Sequence, residues 1–285
     1  MATTLDTLTL AEGLTITRMG YGAMQLAGPG VFGPPRERAE AVAVLREAVE
    51  LGVTCIDTAD FYGPAVTNEI IKEALHPYDG VTIATKVGAR RGEDGSWIPS
   101  TAPDDLRAQV HDNLTHLGVD ALDVVYLRTA SREGTTDDSL EEEFTALAEL
   151  RDKGLIRHLG LSGVSSRQLT EAQSIAPVVA VQNLYNLVNR QDDNLVDRTA
   201  REGIAYASFF PLGGFSPLQS DVLAGVARRL NASPQQVALA WLLQRSATSV
   251  VIPGTSSREH LRENIATADL QLPADAITEL DTIGS

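Results

Sequence analysis

The sequence predicts an α/β protein of the (β/α)8 barrel class, a TIM barrel preceded by a short N-terminal β-hairpin. Short apolar runs alternate with amphipathic segments at intervals of roughly 25 to 35 residues, the period of a βα unit. The runs are apolar throughout, as in parallel strands covered on both faces, rather than apolar at alternate positions. Gly52, Gly118, Gly154 and Gly203 each close an amphipathic segment just before the next run, where a glycine caps a helix C-terminus.

The elements follow in order. Residues 8–10 and 14–16 flank Ala11-Glu12-Gly13 and read as the hairpin. Residues 18–26 form the first barrel strand. The other seven are 53–57, 81–86, 121–128, 156–162, 178–183, 204–210 and 249–253. Between them the helical pattern covers 36–51, 66–75, 103–117, 140–153, 165–173, 192–201 and 234–245, with a last helix at 274–282. Eight units in 285 residues fit a closed barrel better than an open doubly wound sheet. No Pro/Ser/Gly-rich linker or low-complexity stretch interrupts the pattern, so one domain over 1–285 is expected.

Charge and composition exclude some classes of partner. A formal net charge of -15 argues against nucleic acid, whose phosphates need clustered Lys and Arg. A phosphate-bearing cofactor stays admissible, since it needs only a local positive site or helix N-termini. No apolar run approaches the roughly 20 residues of a membrane span. The segment 1–10 has neither a basic n-region nor an apolar h-region, and the single cysteine, Cys55, has no disulfide partner in the chain. A cytoplasmic protein is expected.

A barrel turns position into chemistry, because active sites of this fold lie at the C-terminal ends of the strands. Asp57, Lys86, Arg128, Ser162 and Gln182 end five different apolar runs. Tyr62 follows Asp57 closely. A phenol has an ordinary pKa of about 10 and exchanges protons usefully only beside a cation and an oriented carboxylate. Asp57, Tyr62 and Lys86 supply that set. His76, His111, His116 and His158 show no metal-ligand spacing and read as packing or surface residues. Glu141, Glu142 and Glu143 begin a helix, where acids favour the dipole, and Cys55 reads as a small core hydrophobe.

These segments together resemble the aldo-keto reductases over nearly the whole chain. Gly20-Tyr21-Gly22-Ala23-Met24 is similar to the family's first strand end, Asp57-Thr58-Ala59-Asp60-Phe61-Tyr62-Gly63 to its acid motif, and Thr85-Lys86 to its lysine. Gly160-Leu161-Ser162-Gly163-Val164, Val181-Gln182-Asn183-Leu184-Tyr185-Asn186, Pro211-Leu212-Gly213 and Ile252-Pro253-Gly254-Thr255 with Glu263-Asn264 resemble its nicotinamide-cofactor segments. The resemblance implies reduction of an aldehyde or ketone by NADPH, with NADH admissible. Tyr62 is then the acid, Lys86 lowers its pKa, and Asp57 pairs with Lys86. Small carbonyl compounds are the implied substrate.

The pattern is broken in several places. Arg128 stands where the family's usual tetrad has a His, and so resembles a pyridoxal-reductase-like bacterial subgroup. A guanidinium cannot relay a proton, but its fork can donate to a carbonyl oxygen and favour an oxyanion. An ion pair of Arg128 with Asp60 or another acid at the rim is the alternative placement. Gly163 replaces an Asn beside Ser162 and Gln182, the implied carboxamide contacts. Phe209 replaces the Tyr that stacks under the nicotinamide. At the 2'-phosphate, Gly254 and His260 occupy positions usually held by Lys and Arg. Arg258, with Thr255, Ser256 and Ser257, supplies the implied phosphate donors instead, and Glu263 and Asn264 the adenine contacts. The loop 87–101 brings Arg90 and Arg91, expected to attract an anionic or polar substrate, and Trp97, expected as a wall beside Met24, Phe32 and Phe61. Arg128 and Gly163 also motivate an alternative: a cofactor-binding protein of this fold with lost or non-redox chemistry, such as dehydration or cyclisation.

Overall fold

The computed structural model describes residues 4–129, 136–214 and 218–284. Strands β1 (Thr7–Ala11) and β2 (Leu14–Thr17) pair antiparallel as the expected hairpin. Strand β3 (Tyr21–Gly22) opens the barrel, followed by β4 (Cys55–Asp57) and β5 (Thr82–Val87). A second hairpin, β6 (Ala89–Arg91) and β7 (Trp97–Pro99), rises from the loop after β5. The barrel continues through β8 (Leu122–Arg128), β9 (Ile156–Ser162), β10 (Val178–Leu184), β11 (Ala205–Phe209) and β12 (Ser249–Val251).

The barrel strands form one eight-stranded sheet in the order β12-β11-β10-β9-β8-β5-β4-β3, all neighbours parallel. Its edges meet: Met19 bridges Val251 in parallel, with Gly20 N donating to Val251 O at 2.8 Å and Val251 N to Arg18 O at 2.9 Å. Closure pairs the two edge strands of the barrel sheet with each other.

Helices α1 (Arg38–Glu50), α2 (Val66–Leu75), α3 (Pro103–Leu117), α4 (Glu141–Asp152), α5 (Ser166–Ile175) and α6 (Asp193–Glu202) follow the first six barrel strands. After β11 come α7 (Asp221–Leu230) and α8 (Pro234–Arg245), and after β12 come α9 (Arg258–Ala266) and α10 (Ala274–Leu280). Two expectations need correction. The first strand is not nine residues long: after Gly22 the chain turns into a 3-10 helix at Ala23–Leu26, because only Tyr21 and Gly22 pair with β4. Helix α7 was not expected; Gly225 interrupts its apolar pattern, and its start depends on the Ser220 hydroxyl accepting from Leu223 N.

The core has two shells. An outer one joins strand faces to helices through residues such as Ile56, Val125, Leu161 and Val181. An inner one fills the barrel with Cys55, Ala84, Val124, Tyr126, Ala180, Ala205, Ala207 and Val250, and the hairpin's Leu14 and Ile16 stop its lower end. Side chains alternate in and out along each strand. Gly160 belongs to the inner set for a steric reason: a Cβ there would lie 2.6 Å from the Tyr126 ring.

Candidate active site

The alternation fixes the site. Asp57, Lys86, Arg128, Ser162, Gln182 and Phe209 each stand two positions after an inward-facing residue: Cys55, Ala84, Tyr126, Gly160, Ala180 and Ala207. All six therefore turn into the barrel mouth, where they line one cavity of about 350 Å³. Tyr62, Gly22, Met24, Pro211, Leu212 and Gly254 line it too.

At its floor Lys86 Nζ donates to Asp57 Oδ1 at 2.6 Å and to Thr58 O at 2.9 Å. Gln182 Nε2 donates to Asp57 Oδ2 at 2.7 Å. Both carboxylate oxygens are thus engaged by buried donors, Asp57 and Lys86 each being 4% exposed. The Lys86 ammonium lies 5.3 Å from the centroid of the Tyr62 ring. Burial alone would lower the Lys86 pKa; the Asp57 charge, with hydrogen bonds to Asp57 and Tyr62, opposes it, and the pKa stays above the ordinary value.

The expectation that Lys86 leaves Tyr62 a stronger acid than a free phenol is corrected. Burial pushes the Tyr62 pKa up, and Asp57 adds to that. Lys86, and after it Arg128, pull it down without cancelling the rise. The phenol is only 8% exposed, so removing its proton leaves an anion poorly solvated. Its surroundings favour the protonated phenol.

Arg128 faces the cavity. Its guanidinium stands 6.0 Å from the centroids of both Phe61 and Trp97. Asp60, its alternative partner, is engaged elsewhere, accepting from Asn68 Nδ2 at 3.0 Å and lying 2.7 Å from His116 Nδ1. Phe61, Tyr62 and Trp97 meet edge to face, with centroids 5.3 to 6.4 Å apart, and give the cavity an aromatic side.

Several residues that hold the site were not singled out in the sequence. Asn183 accepts from Gly163 N at 2.8 Å and Val164 N at 3.0 Å, and donates to Val164 O, fixing the loop after Ser162. Gly163 takes φ +74° there. Thr129 Oγ1 donates to Gly163 O at 2.7 Å. Behind the catalytic strands, Thr58 donates to Asn68, and Thr85 and Asn68 both donate to Asn113. This buried network grips the backbone next to Asp57 and Lys86. Its only signal was polar residues on otherwise apolar faces of α2 and α3.

Comparison with known proteins settles the family. The aldo/keto reductase family model matches residues 18–285. The chain belongs to the aldo/keto reductase family. It is 57% identical over 272 residues to pyridoxine 4-dehydrogenase of Escherichia coli, covering 94% of this chain and 95% of that protein. A crystal structure of the thermostable aldo-keto reductase Tm1743 with the inhibitor epalrestat superposes with a TM-score of 0.83 at 29% identity, covering 99% of this chain and 100% of the other. An aldo/keto reductase from Klebsiella pneumoniae in complex with NADP and acetate shares the fold at a TM-score of 0.81 and 22% identity, covering 99% of this chain and 96% of the other. As an aldo/keto reductase, this protein is a nicotinamide-dependent oxidoreductase acting on carbonyl compounds.

The cavity of this aldo/keto reductase suits the reactive end of a nicotinamide cofactor. Gly22, Gly163, Gly214 and Gly254 bring bare backbone to its wall, and a Cβ on Gly22 would lie 2.5 Å from Ile252 O. Phe209 continues the inward register of β11 and offers a ring face; Phe210 also lines the cavity, at 5.4 Å and 83° to it. Ala23 is fully buried behind the lining, and Gly213 is absent from it. Thr255, Ser256, Arg258, Glu263 and Asn264 lie beyond the cavity, on the segment after Gly254 and on α9. Thr255 O accepts from Tyr21 Oη at 2.5 Å. Arg258 does not reach toward that segment; its Nε donates to Glu40 of α1 at 2.9 Å.

The expected anion-attracting pair is also reassigned. Arg90 bonds Asp105 at 3.1 Å on the outside, and Arg91 is spent on carbonyl oxygens and aromatic faces. Neither lines the cavity, and nor does Phe32, whereas Met24, Phe61 and Trp97 do.

Proposed function

We propose that this aldo/keto reductase uses NADPH to reduce a compact aromatic aldehyde, with Tyr62 as acid and Arg128 as the donor that orients the carbonyl oxygen. The observation that carries the reading is a buried phenol and a guanidinium facing one aromatic-sided cavity over a fully engaged Asp57–Lys86 pair. The cofactor supplies the hydride when bound. Ser162 and Gln182 would hold its carboxamide and Phe209 its ring face, while Gly22, Ala23, Met24, Pro211, Leu212, Gly213 and Gly254 shape its path. Arg258, Thr255 and Ser256 would meet the 2'-phosphate, and Glu263 and Asn264 the adenine. In this reading Arg258 exchanges Glu40 for phosphate on binding.

Tyr62 gives its proton to the alkoxide oxygen as charge develops there. Lys86 keeps its charge through Asp57 and stabilises the phenolate left behind. Asp57 in turn is held by Gln182, so the pair cannot swing into the cavity. Arg128 donates to the same oxygen or to a neighbouring oxyanion of the substrate. The name of the E. coli relative points to pyridoxine oxidised at position 4, and the matching aldehyde is a planar ring carrying a phenolic oxygen. That shape suits an arginine beside Phe61 and Trp97.

The test is loss of reduced-nicotinamide absorbance with NADPH, and separately NADH, over pyridoxal and a panel of small aldehydes, with Tyr62→Phe as control. Consumption dependent on Tyr62 is expected. Tight NADPH binding without turnover would instead favour the cofactor-binding or non-redox alternatives that Arg128 and Gly163 raise.

A further inference from the structure

We infer that Arg91, which lines no part of the cavity, is a positioning residue that sets substrate range by clamping Trp97 as a wall of the mouth. The inference rests on the carbonyl-reductase reading above. Arg91 pairs with Trp97 across β6 and β7, and its guanidinium carbon lies 4.1 Å from the Trp97 ring centroid. The same fork reaches across to another segment, donating to Val31 O at 2.5 Å and Gly30 O at 3.0 Å. It also closes its own hairpin, through Gly95 O at 2.7 Å.

That second segment is tied to the acid. Gly33 N donates to Gly63 O at 2.9 Å, and Gly63 N to Val31 O at 3.3 Å, directly after Tyr62. Val31 sits at φ +59°, a conformation a β-branched residue holds only when its neighbours impose it. One guanidinium therefore joins the loop anchored beside Tyr62 to the hairpin that carries Trp97. A planar fork with five donors can serve three carbonyls and a ring at once; an ammonium cannot. Trp97 meets Phe61 and Tyr62 at ring edges, 5.7 and 6.4 Å away, whereas the Arg91 guanidinium lies close over its ring, 4.1 Å from the centroid. Without it the indole turns, the wall opens, and ring-shaped substrates lose a contact that small aliphatic ones never make.

The experiment is a double-mutant cycle on Arg91→Met and Trp97→Ala, read with pyridine-4-carboxaldehyde and with propanal at saturating NADPH. Arg91→Met is expected to raise KM for the aromatic aldehyde about tenfold while kcat and the propanal KM change by less than about twofold, the mark of lost uniform binding. Trp97→Ala is expected to raise the KM for the aromatic aldehyde to a similar extent, and the double variant to add little to that rise, because Arg91 acts through Trp97. The chain has two tryptophans, and Trp241 is only 2% exposed, so acrylamide quenching reports Trp97; Arg91→Met should raise it. Equal KM changes for both aldehydes, additive effects, or unchanged quenching would overturn the inference. Should Arg91→Met fail to fold, an unchanged aromatic KM in Trp97→Ala overturns it equally. A wild-type protein that turned over neither aldehyde would count against the reductase reading itself.

Discussion

Two ion pairs of nearly equal length serve this protein in opposite ways. Lys86–Asp57 spans 2.6 Å with both side chains about as buried as the core, at 5% and 6% exposed. Arg258–Glu40 spans 2.9 Å with its side chains 48% and 40% exposed. The first sits at the cavity floor, where each charge depends on the other and on fixed donors. The second sits at the rim, where water can replace either partner. Distance alone does not distinguish them; burial does. On the proposed reading, chemistry is built on groups with no alternative state, and cofactor discrimination on groups that have one.

The sharpest test of the floor is the acid itself. Tyr62→Phe should lower kcat for carbonyl reduction by about 10²- to 10⁴-fold, the usual range for a positioned proton donor, without weakening NADPH binding measured by fluorescence titration. Because the phenol pKa is raised by burial, its protonated form persists as pH rises through neutrality to about 10. Wild-type reduction should therefore hold level from pH 6 to about 9, and the reverse oxidation, which needs the phenolate, should climb throughout.

Next in size is Lys86→Met. It leaves the Asp57 carboxylate buried opposite only Gln182, so chemical denaturation should show a loss of about 3–5 kcal/mol. Adding Asp57→Leu to it should recover part of that loss. A wild-type-like denaturation midpoint for Lys86→Met would erase the contrast between floor and rim.

At the rim, effects shrink. Arg258→Ala is expected to raise the NADPH dissociation constant about tenfold and leave NADH unchanged, with the difference fading as salt screens the contact. Equal losses for both cofactors would remove Arg258 from the phosphate site. Smallest of all, Glu40→Gln should change folding stability by no more than about 1 kcal/mol, as exposed pairs do.

The sequence revealed some of this and hid the rest for identifiable reasons. Period and glycine caps located the barrel strands and most helices. The strand-end residues followed, because a side chain two positions beyond an inward residue must face the mouth. What escaped depended on distance in the chain. Arg258 finds Glu40 across 218 positions, and Arg91 finds Val31 across 60; no local pattern announces such partners. Nor does any announce that Gln182 binds Asp57 across 125 positions. The direction of the Tyr62 shift was missed because charges can be counted in a sequence, whereas desolvation depends on packing. Helix α7 escaped because Gly225 blurs its periodicity.

Cys55 lies directly below Asp57, inside the barrel among Ala84, Tyr126 and Ala207. It is the chain's only cysteine, and burial, aided by Asp57, pushes its thiol pKa up to about 12. Thiolate is the reactive form, so the native barrel protects this sulfur from alkylation both by exclusion and by protonation. A thiol reagent can reach it only when the ring of strands parts. The rate at which Cys55 is labelled is therefore a built-in clock for barrel opening, and its slowing in the presence of NADPH would measure how firmly the bound cofactor locks the ring shut.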